Sequence, residues 1–561
     1  MPLTPAELAF AGDGNDLPSR WQGRDSFAIL VTGFGSGTHF LSIWHAWQTD
    51  PRRPQRLHYF AVEKHPLCRE DLARLHEAQP EFAALSAPLR ASWPSQVTGF
   101  HRLHFEGGAV TLTLIFGDIR TALPGIAGHF DAIHHDGLAP EHNPQQWPQS
   151  LIDDLAWLTD PKNRGLSPNS PISAGRVAVV GGGIAGIACA ERLVAQGCTV
   201  TLFERRDTFA AETSGNHQAI LLPVLAVDET RLARLNRVAF LYVLRRLREL
   251  EAAGHPVDGQ NCGVFQIARD AEHAKKQAAI VHDQRLPEDF VRFIDADEAE
   301  RRTGVRVAGP GWWFPQAGWL SPASLADALL AAAGKGIERR PGVDIATLDA
   351  RGNEWILRDA AGQAQWQGAT VVLAHAHGIR TLAQAAHLPI RCFRGQVTHL
   401  PAPLLDGLPK SVVCREGYLA PAYKTCAGLG ATFQRSHDTD ATVSDHVSNL
   451  NRLSAMLPDW AGRFDPASLE GRVGLRPVSP DKLPIVGALP LPVCDPRPMA
   501  HVEWPRWPGL HVASGYGARG FVWAPLMGEL LASQITGTPL PIEHELAAAV
   551  DPARFTWKGT V

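Results

Sequence analysis

Cysteine is scarce and scattered in this sequence. Its 561 residues include eight cysteines, at positions 68, 189, 198, 262, 392, 414, 426 and 494, and no two of them have C-x-x-C spacing. Zinc sites and disulfide frameworks depend on such regular spacing, so the sequence argues against both and we predict no metal site. The pattern fits a protein kept in the reducing cytoplasm.

Long apolar runs are also missing. No stretch approaches the roughly 18 consecutive apolar residues that a transmembrane helix requires. The N-terminal stretch MPLTPAELAFAGDGNDLP lacks the basic and apolar regions of a signal peptide. We therefore predict a soluble, cytoplasmic protein with no membrane partner.

An overall excess of positive charge is absent as well. The sequence has 53 Lys and Arg and 57 Asp and Glu, which gives a net charge of −4. A nucleic-acid partner would therefore need a local basic patch. The best candidate is a predicted helix over residues 231–250, and its six arginines are Arg231, Arg234, Arg237, Arg245, Arg246 and Arg248. The alternative is the solvated face of an amphipathic helix.

The chain is too long for a single compact core. A length of 561 residues predicts two or three domains, and 45% hydrophobic and 20% charged residues are typical of globular proteins. Asp160–Pro171 is rich in Pro, Ser, Asn and Gly, as linkers are. We therefore divide the chain into a domain over residues 1–158, a linker over 159–175 and a domain over 176–561.

A nucleotide-binding pattern opens the second domain. Val177–Val180 predicts a buried strand, and a G-x-G-x-x-G sequence follows it at Gly181, Gly183 and Gly186. A predicted helix ends at Gly197, and a second strand, Thr199–Phe203, runs into Glu204.

Each residue type in this pattern has a physical reason. The three glycines permit a tight turn, close approach of a pyrophosphate and close packing of helix on strand, while Glu204 can bind the ribose hydroxyls. The helix N-terminus offers free N–H groups to the phosphates. An ordinary strand–helix–strand unit with a glycine turn is the alternative, and this stretch does not distinguish FAD from NAD.

Two further loops favour FAD. Near the C-terminus, a strand over Leu510–Ala513 leads into a loop with Gly515, Gly517 and Gly520, and a helix is predicted over Phe521–Ser533. A second helix N-terminus far from the first suits the long FAD molecule, whose reduced ring needs donors near N1. The small polar residues Ser214, Gly215 and Asn216 form another loop able to approach the cofactor.

The remaining predicted strands of the second domain divide into two kinds. Thr370–Ala374 is a buried strand of the cofactor sheet. The others predict an inserted antiparallel sheet and are Cys262–Ile267, Trp312–Phe314, Trp319–Leu320, Gly395–Leu400, Val412–Leu419 and Cys426–Phe433.

The N-terminal domain has a different nucleotide signature. Four strands are predicted, at Ser26–Thr32, Leu57–Val62, Val110–Phe116 and Phe130–His134, with a helix over Thr38–Trp47. Gly33, Gly35 and Gly37 follow the first strand, and acids follow two others: Glu63 could bind a ribose, and Asp118 an adenine amino group. This combination suggests an S-adenosylmethionine site, although glycine turns and strand-end acids are also common without one.

Histidines follow the fourth of these strands. His134, His135 and His142 lie near Asp136 without the spacing of a metal site. We interpret them as polar residues of a loop.

Several stretches resemble a known family. In the second domain they are TSGNHQAILLP (213–223), CGVFQ (262–266), GWLSPASL (318–325), RGQVTHLP (394–401), EGYLAPA (416–422) and GARGFVWAPL (517–526). They resemble the D-amino-acid-oxidase-like flavoproteins and, within them, the family of bifunctional proteins of tRNA 5-methylaminomethyl-2-thiouridine biosynthesis. TGFGSG (32–37), VEKHPL (62–67), GDI (117–119) and DGLAPEHNPQQW (136–147) resemble the methyltransferase half of that family.

The resemblance implies a fold and a two-step function. The implied fold is α/β, with a Rossmann-like methyltransferase sheet followed by a Rossmann-type FAD domain that carries an antiparallel substrate sheet. The implied partner is tRNA, and the implied cofactors are FAD and S-adenosylmethionine. FAD-dependent oxidation would remove the carboxymethyl group of wobble 5-carboxymethylaminomethyl-uridine, and methyl transfer, with Asp136 near the amine, would follow.

A cation must hold the carboxylate of such a substrate, and a bidentate arginine suits this best. Arg476, in the family-like turn GLRP, is the first candidate and Arg519 the second. Either could instead form a structural salt bridge. The competing functions are a free oxidase of glycine, sarcosine or a D-amino acid on the same fold, and a tRNA-binding protein with a structural flavin.

The methyltransferase half departs from the family pattern. Val31 stands where the family has Glu, and His134-His135 stands where it has a bulky apolar pair. Only 30 residues separate Trp147 from Val177, too few for the three strands and two helices that such a sheet would still need. We therefore predict an incomplete sheet and slow or absent methyl transfer.

Overall fold

The fold is seen in a computed structural model that describes residues 17–134, 149–160, 175–401, 407–492 and 504–555. An N-terminal sheet of five strands precedes four sheets built from residue 176 onward. Within the described residues, no helix is long and apolar enough to cross a membrane.

The N-terminal sheet has the strand order β3-β4-β2-β1-β5. Its strands are β1 (Ser26–Val31), β2 (Arg56–Glu63), β3 (Gly99–Phe105), β4 (Val110–Phe116) and β5 (Ala132–His134). Its helices are α1 (Leu17–Trp21), α2 (Thr38–Thr49), α3 (Arg69–Glu77), α4 (Ala83–Ala91), α5 (Ile119–Ala122) and α6 (Gln149–Thr159). All four predicted strands are present; β3, which pairs antiparallel with β4, was not predicted.

Among the described residues, the strands of this sheet end at β5. In the described part of the chain, β5 is the last strand of the sheet, and the next described elements are α6 and the first strand of another sheet. Leu151, Leu155 and Leu158 of α6 pack into the same apolar cluster as Phe60 and Phe130. Helix α6 covers this side of the sheet together with Ile119 of α5 and Leu123.

Residues from 176 onward form the larger part of the molecule. The strands are β6 (Arg176–Val180), β7 (Thr199–Glu204), β8 (Ala219–Leu221), β9 (Gly259–Gln260), β10 (Val264–Ile267), β11 (Arg292–Ile294), β12 (Gly311–Phe314), β13 (Gly318–Leu320), β14 (Ile337–Pro341), β15 (Ile345–Arg351), β16 (Glu354–Asp359), β17 (Ala364–Gly368), β18 (Thr370–Leu373), β19 (Arg391–Pro401), β20 (Val412–Cys414), β21 (Tyr418–Leu419), β22 (Cys426–Gly430), β23 (Glu470–Val478), β24 (Ile485–Pro490) and β25 (Arg506–Ser514). The helices are α7 (Ile184–Ala195), α8 (Arg231–Ala252), α9 (Ala271–Asp283), α10 (Ala296–Thr303), α11 (Pro322–Ala333), α12 (Val443–Met456), α13 (Gly520–Thr536) and α14 (His544–Val550).

The cofactor sheet has the order β14-β7-β6-β18-β25-β24, in which all neighbours are parallel except β24 and β25. Helices α7 and α13 pack closely together: a Cβ atom at Gly528 of α13 would lie 2.6 Å from the Ala188 carbonyl oxygen of α7. The predicted strand–helix–strand unit is confirmed as β6, α7 and β7.

The predicted antiparallel sheet has eight strands in the order β11-β12-β10-β20-β21-β22-β19-β23. Two predicted strands were too long: Val412–Leu419 is a hairpin of β20 and β21, and the strand from Cys426 ends at Gly430. Trp319 and Leu320 belong to a separate small sheet of β8, β13 and β9. A further sheet is formed by β15, β16 and β17.

The arginine-rich helix α8 is not a basic patch, and its arginines do not form a solvated face, so both interpretations were wrong. Arg237, Arg245 and Arg246 are buried. The described ion pairs of the helix join Arg231 to Glu545, Arg234 to Glu543 and Glu545, Arg237 to Glu229, and Arg246 to Glu191 and Glu249. Four of the six arginines are thus paired with carboxylates of the protein, and of these pairs Arg231–Glu545 lies at the surface.

Helix α8 also contacts the N-terminal sheet. Arg245 Nε donates to the Arg102 carbonyl oxygen of β3 at 3.0 Å. Arg102 itself is buried and pairs with Glu529 of α13 at 2.9 Å, and His104 Nδ1 lies 3.2 Å from Glu249 of α8. The unpredicted strand β3 therefore joins the N-terminal sheet to the cofactor domain through buried charges.

Candidate active site

A cavity of about 500 Å³ lies between the cofactor sheet and the antiparallel sheet. Residues of both predicted glycine loops line it, among them Gly183 and Gly517. Ser214 and Asn216 of the small polar loop and Arg476 of β23 line it as well. Segments that are far apart in the sequence therefore form one site, as the FAD interpretation requires.

In the first glycine loop, packing within the protein leaves no room for a side chain at two of the glycines. Gly181 has φ 111°, and a Cβ atom there would lie 2.7 Å from the backbone of His375. A Cβ atom at Gly186 would lie 1.9 Å from the Gly181 carbonyl oxygen. These glycines allow helix α7 to pack closely on β6, and the glycine turn to pack closely on the end of β18.

Gly183 is different, because the protein leaves space beside it. The nearest atom to a Cβ built there is Ser214 Oγ, at an ordinary contact distance of 3.4 Å. Gly183 is also the N-cap residue of α7, and it lines the cavity. The space fits a pyrophosphate that approaches the helix N-terminus.

Glu204 stands beside this loop at the carboxyl end of β7. Its carboxylate accepts from the backbone N–H groups of Gly182 and Arg206, both at 2.8 Å. These bonds fix the carboxylate next to the glycine turn, where the sequence analysis placed the ribose.

The second glycine loop presents another helix N-terminus to the cavity. Gly515 and Gly517 have positive φ values of 77° and 57°, and α13 begins at Gly520. Opposite, Ser214 Oγ accepts from the Ile184 backbone N–H at 3.0 Å, and the buried Asn216 Oδ1 has no hydrogen-bond partner among the described residues. An unpartnered buried acceptor and the open space at Gly183 fit a bound dinucleotide.

Arg476 is a buried cation at the far side of the cavity. Its residue is only 9% exposed, and burial lowers the pKa of the guanidinium. Nη1 donates to the Thr432 carbonyl oxygen at 3.0 Å, and in the described ranges no carboxylate lies within 4.0 Å of the side chain. A buried guanidinium without a carboxylate partner is costly, so the site favours an anionic ligand.

The glycine at position 395 makes room for this guanidinium. Strands β19 and β23 are antiparallel neighbours, with Phe393 opposite Arg476 and Gly395 opposite Gly474. A Cβ atom at Gly395 would lie 2.1 Å from Arg476 Nη1, so only glycine leaves room for the guanidinium in its observed position. This role of Gly395 was not predicted from the sequence.

Tyr418 is a second site residue that the sequence analysis missed. It lines the cavity, and burial raises the pKa of its hydroxyl to about 12, so the group is a neutral donor at physiological pH. It belongs to the stretch EGYLAPA, which carried the family resemblance without indicating a role for this residue.

The other arginines of the cavity differ in their surroundings. Arg519 is exposed to the cavity and its guanidinium has no hydrogen bond or ion pair among the residues that the structure describes. Arg415 is bound to the protein, since Nη1 donates to the Ala455 carbonyl oxygen at 2.9 Å and Nη2 donates to that of Arg269.

The predicted S-adenosylmethionine residues meet at the carboxyl edge of the N-terminal sheet. Gly35 and Gly37 have positive φ values of 54° and 76°. Glu63 accepts from the backbone N–H groups of Phe34 and Gly35 at 3.1 and 2.9 Å, so the acid and the loop of Gly33, Gly35 and Gly37 lie in contact.

Asp118 is also at this edge, where it caps α5 and pairs with Lys64 at 2.9 Å. His134 at the end of β5 stacks on His39, with ring centroids 4.2 Å apart. Asp136, His135 and His142 lie outside the described residues.

Comparison with known families matches both parts of the chain. Residues 176–534 match the model of a family described as FAD dependent oxidoreductase, and residues 80–168 match one described as S-adenosyl-L-methionine-dependent methyltransferase.

Curated relatives match along the whole chain. Proteins named "tRNA 5-methylaminomethyl-2-thiouridine biosynthesis bifunctional protein MnmC" from Azoarcus sp. and Aromatoleum aromaticum are 40% and 41% identical, over 99% of this chain and 98% of theirs. The Azoarcus alignment extends over 626 positions, more than the 561 residues here, so that relative has residues without a counterpart in this chain.

Solved structures resemble the second domain in fold. Glycine oxidase from Bacillus cereus has a TM-score of 0.53 at 20% identity, covering 64% of this chain and 95% of its own. Iminodiacetate oxidase from Chelativorans sp. has a TM-score of 0.53 at 21% identity, covering 65% and 96%. At these identities the likeness shows the fold alone.

Proposed function

The chain belongs to the family of bifunctional tRNA 5-methylaminomethyl-2-thiouridine biosynthesis proteins, and from this premise we propose that it modifies the wobble uridine of tRNA. It contains an FAD-dependent oxidoreductase domain and an S-adenosylmethionine-dependent methyltransferase domain. The FAD-dependent domain removes the carboxymethyl group from 5-carboxymethylaminomethyl-uridine, or its 2-thio form, and leaves aminomethyl-uridine.

The observation that carries this proposal is the buried guanidinium of Arg476, which has no carboxylate partner among the described residues and faces the same cavity as both glycine loops. The substrate arm ends in a carboxylate, so Arg476 can bind it as a charge-assisted pair. The Tyr418 hydroxyl is a second donor in the same cavity. Arg519, which lines the same cavity, is the second arginine candidate.

FAD supplies the acceptor for the hydride that leaves the CH₂ group between the carboxylate and the amine. In the protein, Gly183, Ser214, Asn216, Glu204 and the second glycine loop would hold it. Arg476 fixes the carboxylate and thereby orients that CH₂ group inside the cavity. Loss of the hydride would convert the neutral amine to an iminium ion, which gives up its N–H proton to become the imine, and water hydrolyses the imine to glyoxylate and aminomethyl-uridine.

The free amino-acid oxidase remains the second candidate. Glycine oxidase and iminodiacetate oxidase share the fold at 20% and 21% sequence identity, whereas a relative at 40% identity is named as a tRNA-modifying protein. The arginine helix no longer favours tRNA, because its charges are paired internally.

For the methyltransferase domain we propose that Gly33, Gly35, Gly37, Glu63 and Asp118 bind S-adenosylmethionine, with Asp136 near the amine. Methyl transfer requires the amine in line with the sulfonium, in a pocket closed to water. Within the described ranges the sheet ends at β5, and no further strand supports the part of the substrate pocket that would lie beyond it. Slow or absent methylation therefore remains our prediction.

Flavin reduction under anaerobic conditions tests the proposal. The protein is mixed with tRNA that carries 5-carboxymethylaminomethyl-uridine, or with sarcosine, and bleaching of the flavin absorbance is followed in a single turnover. We expect the tRNA to reduce the flavin at micromolar concentration and sarcosine to require far more. Rapid reduction by sarcosine, with none by tRNA, would favour the free amino-acid oxidase; no reduction by either would favour a structural flavin.

A further inference from the structure

An aromatic side chain stands in the cavity beside Arg476. Phe433 lines the cavity and yet is 49% exposed, whereas most large apolar side chains of the described residues are buried. Isolated exposed apolar residues are common on protein surfaces. This one differs because its exposed surface belongs to the active-site cavity.

Phe393 and Arg476 both contact the ring of Phe433. The two rings are stacked, with centroids 4.6 Å apart and planes inclined by 15°. Phe393 lies directly opposite Arg476 in the pairing of β19 and β23, and the Arg476 guanidinium carbon is 5.9 Å from the centre of the Phe433 ring. We call Phe393 and Phe433 the aromatic platform.

We propose that the aromatic platform stacks with the uracil ring whose arm is oxidised, and that it thereby selects a nucleotide over a free amino acid. The inference rests on the proposed function and adds to it the residue that recognises the base. Every base has a flat face, and unpaired bases of RNA loops commonly stack on aromatic side chains. A free amino acid has no such face and gains nothing from Phe433.

The length of the substrate arm agrees with this arrangement. Four bonds of about 1.5 Å join the carboxylate carbon to C5 of uracil, so the extended arm spans roughly 5 Å. The separation of Arg476 from the Phe433 ring centre is 5.9 Å. When Arg476 binds the carboxylate, the modified base itself therefore comes within reach of the exposed ring.

Binding of a fluorescent anticodon stem-loop, measured by anisotropy, tests the platform. The stem-loop carries 5-carboxymethylaminomethyl-uridine at the wobble position. We expect Phe433→Ala and Phe433→Leu to weaken binding by about tenfold, since stacking is lost in both, and Phe433→Trp to retain it. Val443→Ala is the matched control, because Val443 is 51% exposed and does not line the cavity. The FAD content and visible spectrum should be the same in all variants.

Altered stem-loops separate stacking from a structural role. With unmodified uridine at the wobble position, Phe433→Ala should still weaken binding, whereas Arg476→Ala should have no effect because the carboxylate is absent. With an abasic wobble position, the wild type and Phe433→Ala should bind equally.

Three results would overturn the proposal that the platform stacks on the base. They are wild-type affinity in Phe433→Ala, equal affinities of Phe433→Leu and Phe433→Trp, and a loss of affinity in Phe433→Ala that is as large with the abasic stem-loop as with the modified one. If the modified stem-loop does not reduce the flavin of the wild type, the proposed function fails and the platform fails with it. If it does reduce the flavin while the Phe433 variants bind normally, only the platform fails.

Discussion

Replacing Gly395 with alanine is predicted to displace the Arg476 guanidinium without removing it. The new Cβ atom would lie 2.1 Å from Nη1 and 2.3 Å from Cζ of Arg476, distances that require a shift. The guanidinium is the far end of a flexible side chain, so we expect it to move and strand β19 to keep its place. The charge then remains near the cavity in the wrong position.

The size of the effect follows from what the guanidinium does for the substrate. Truncating one partner of a buried charge pair typically costs about 2–5 kcal/mol, which corresponds to a loss of roughly 30-fold or more in affinity. Arg476→Ala should show this full loss. Gly395→Ala retains part of the attraction, and we expect an intermediate loss of about tenfold, from one or two kcal/mol.

The assay is the concentration dependence of flavin reduction by the modified stem-loop in single turnovers. Gly309→Ala is the matched control, because nothing lies within 4 Å of a Cβ atom at that glycine. All three variants should retain FAD. Wild-type affinity in Gly395→Ala would refute the account of this glycine, and unchanged reduction in Arg476→Ala would remove Arg476 from the site.

Three further predictions concern the cofactors and the domain contact. Gly183→Val should yield a protein without yellow colour, because the side chain would fill the space left for the pyrophosphate; normal FAD content in this variant would contradict that role. Burial raises the pKa of Glu249, but His104 and Arg246 outweigh it and lower this pKa to about 2, so the stabilisation that Glu249 contributes is present above pH 4.5 and is lost as the pH falls towards 2. Unfolding followed against pH should show a smaller loss of stability over this range in Glu249→Gln than in the wild type, because Glu191 and Glu529, whose pKa values are also lowered, titrate in both proteins; an equal loss in the two proteins would contradict this role of Glu249. Incubation of aminomethyl-bearing tRNA with S-adenosylmethionine should give little methylaminomethyl-uridine by mass analysis; prompt, stoichiometric methylation that disappears in Asp136→Ala would contradict the prediction.

The cofactor unit was predictable because its signals are local. Strand β6, helix α7 and strand β7 lie within 30 consecutive residues, and each has a continuous apolar run or a glycine at its boundary. Parallel strands buried on both faces are apolar throughout, so their ends were predicted to within a few residues. The prediction of an incomplete N-terminal sheet rests equally directly on a count of residues between two motifs.

The role of helix α8 could not be predicted, because several of the partners of its arginines are distant in sequence. Glu191, Glu543 and Glu545 lie 55 to 314 residues from the arginines with which they pair. For the same reason β3 was missed: Arg102 and His104 make its pattern look polar, yet both are buried against charges of the other domain. A charge pattern alone does not show whether a charge is paired.

The remaining site residues depend on the register of paired strands. Gly395 and Arg476 are neighbours only because β19 pairs with β23, about 80 residues further along the chain. Phe433 joins them from the segment after β22, a strand that the sequence predicted to extend through Phe433 itself. Motifs located the cofactor loops, whereas the substrate side required the three-dimensional pairing.

Product analysis after one anaerobic turnover tests the central claim most directly. The protein is mixed with tRNA that carries 5-carboxymethylaminomethyl-uridine, and reduced flavin, glyoxylate and digested nucleosides are measured in the same sample. We predict one glyoxylate and one aminomethyl-uridine for each flavin reduced. Unchanged tRNA, in a preparation whose flavin is readily reduced by sarcosine or glycine, would contradict the account.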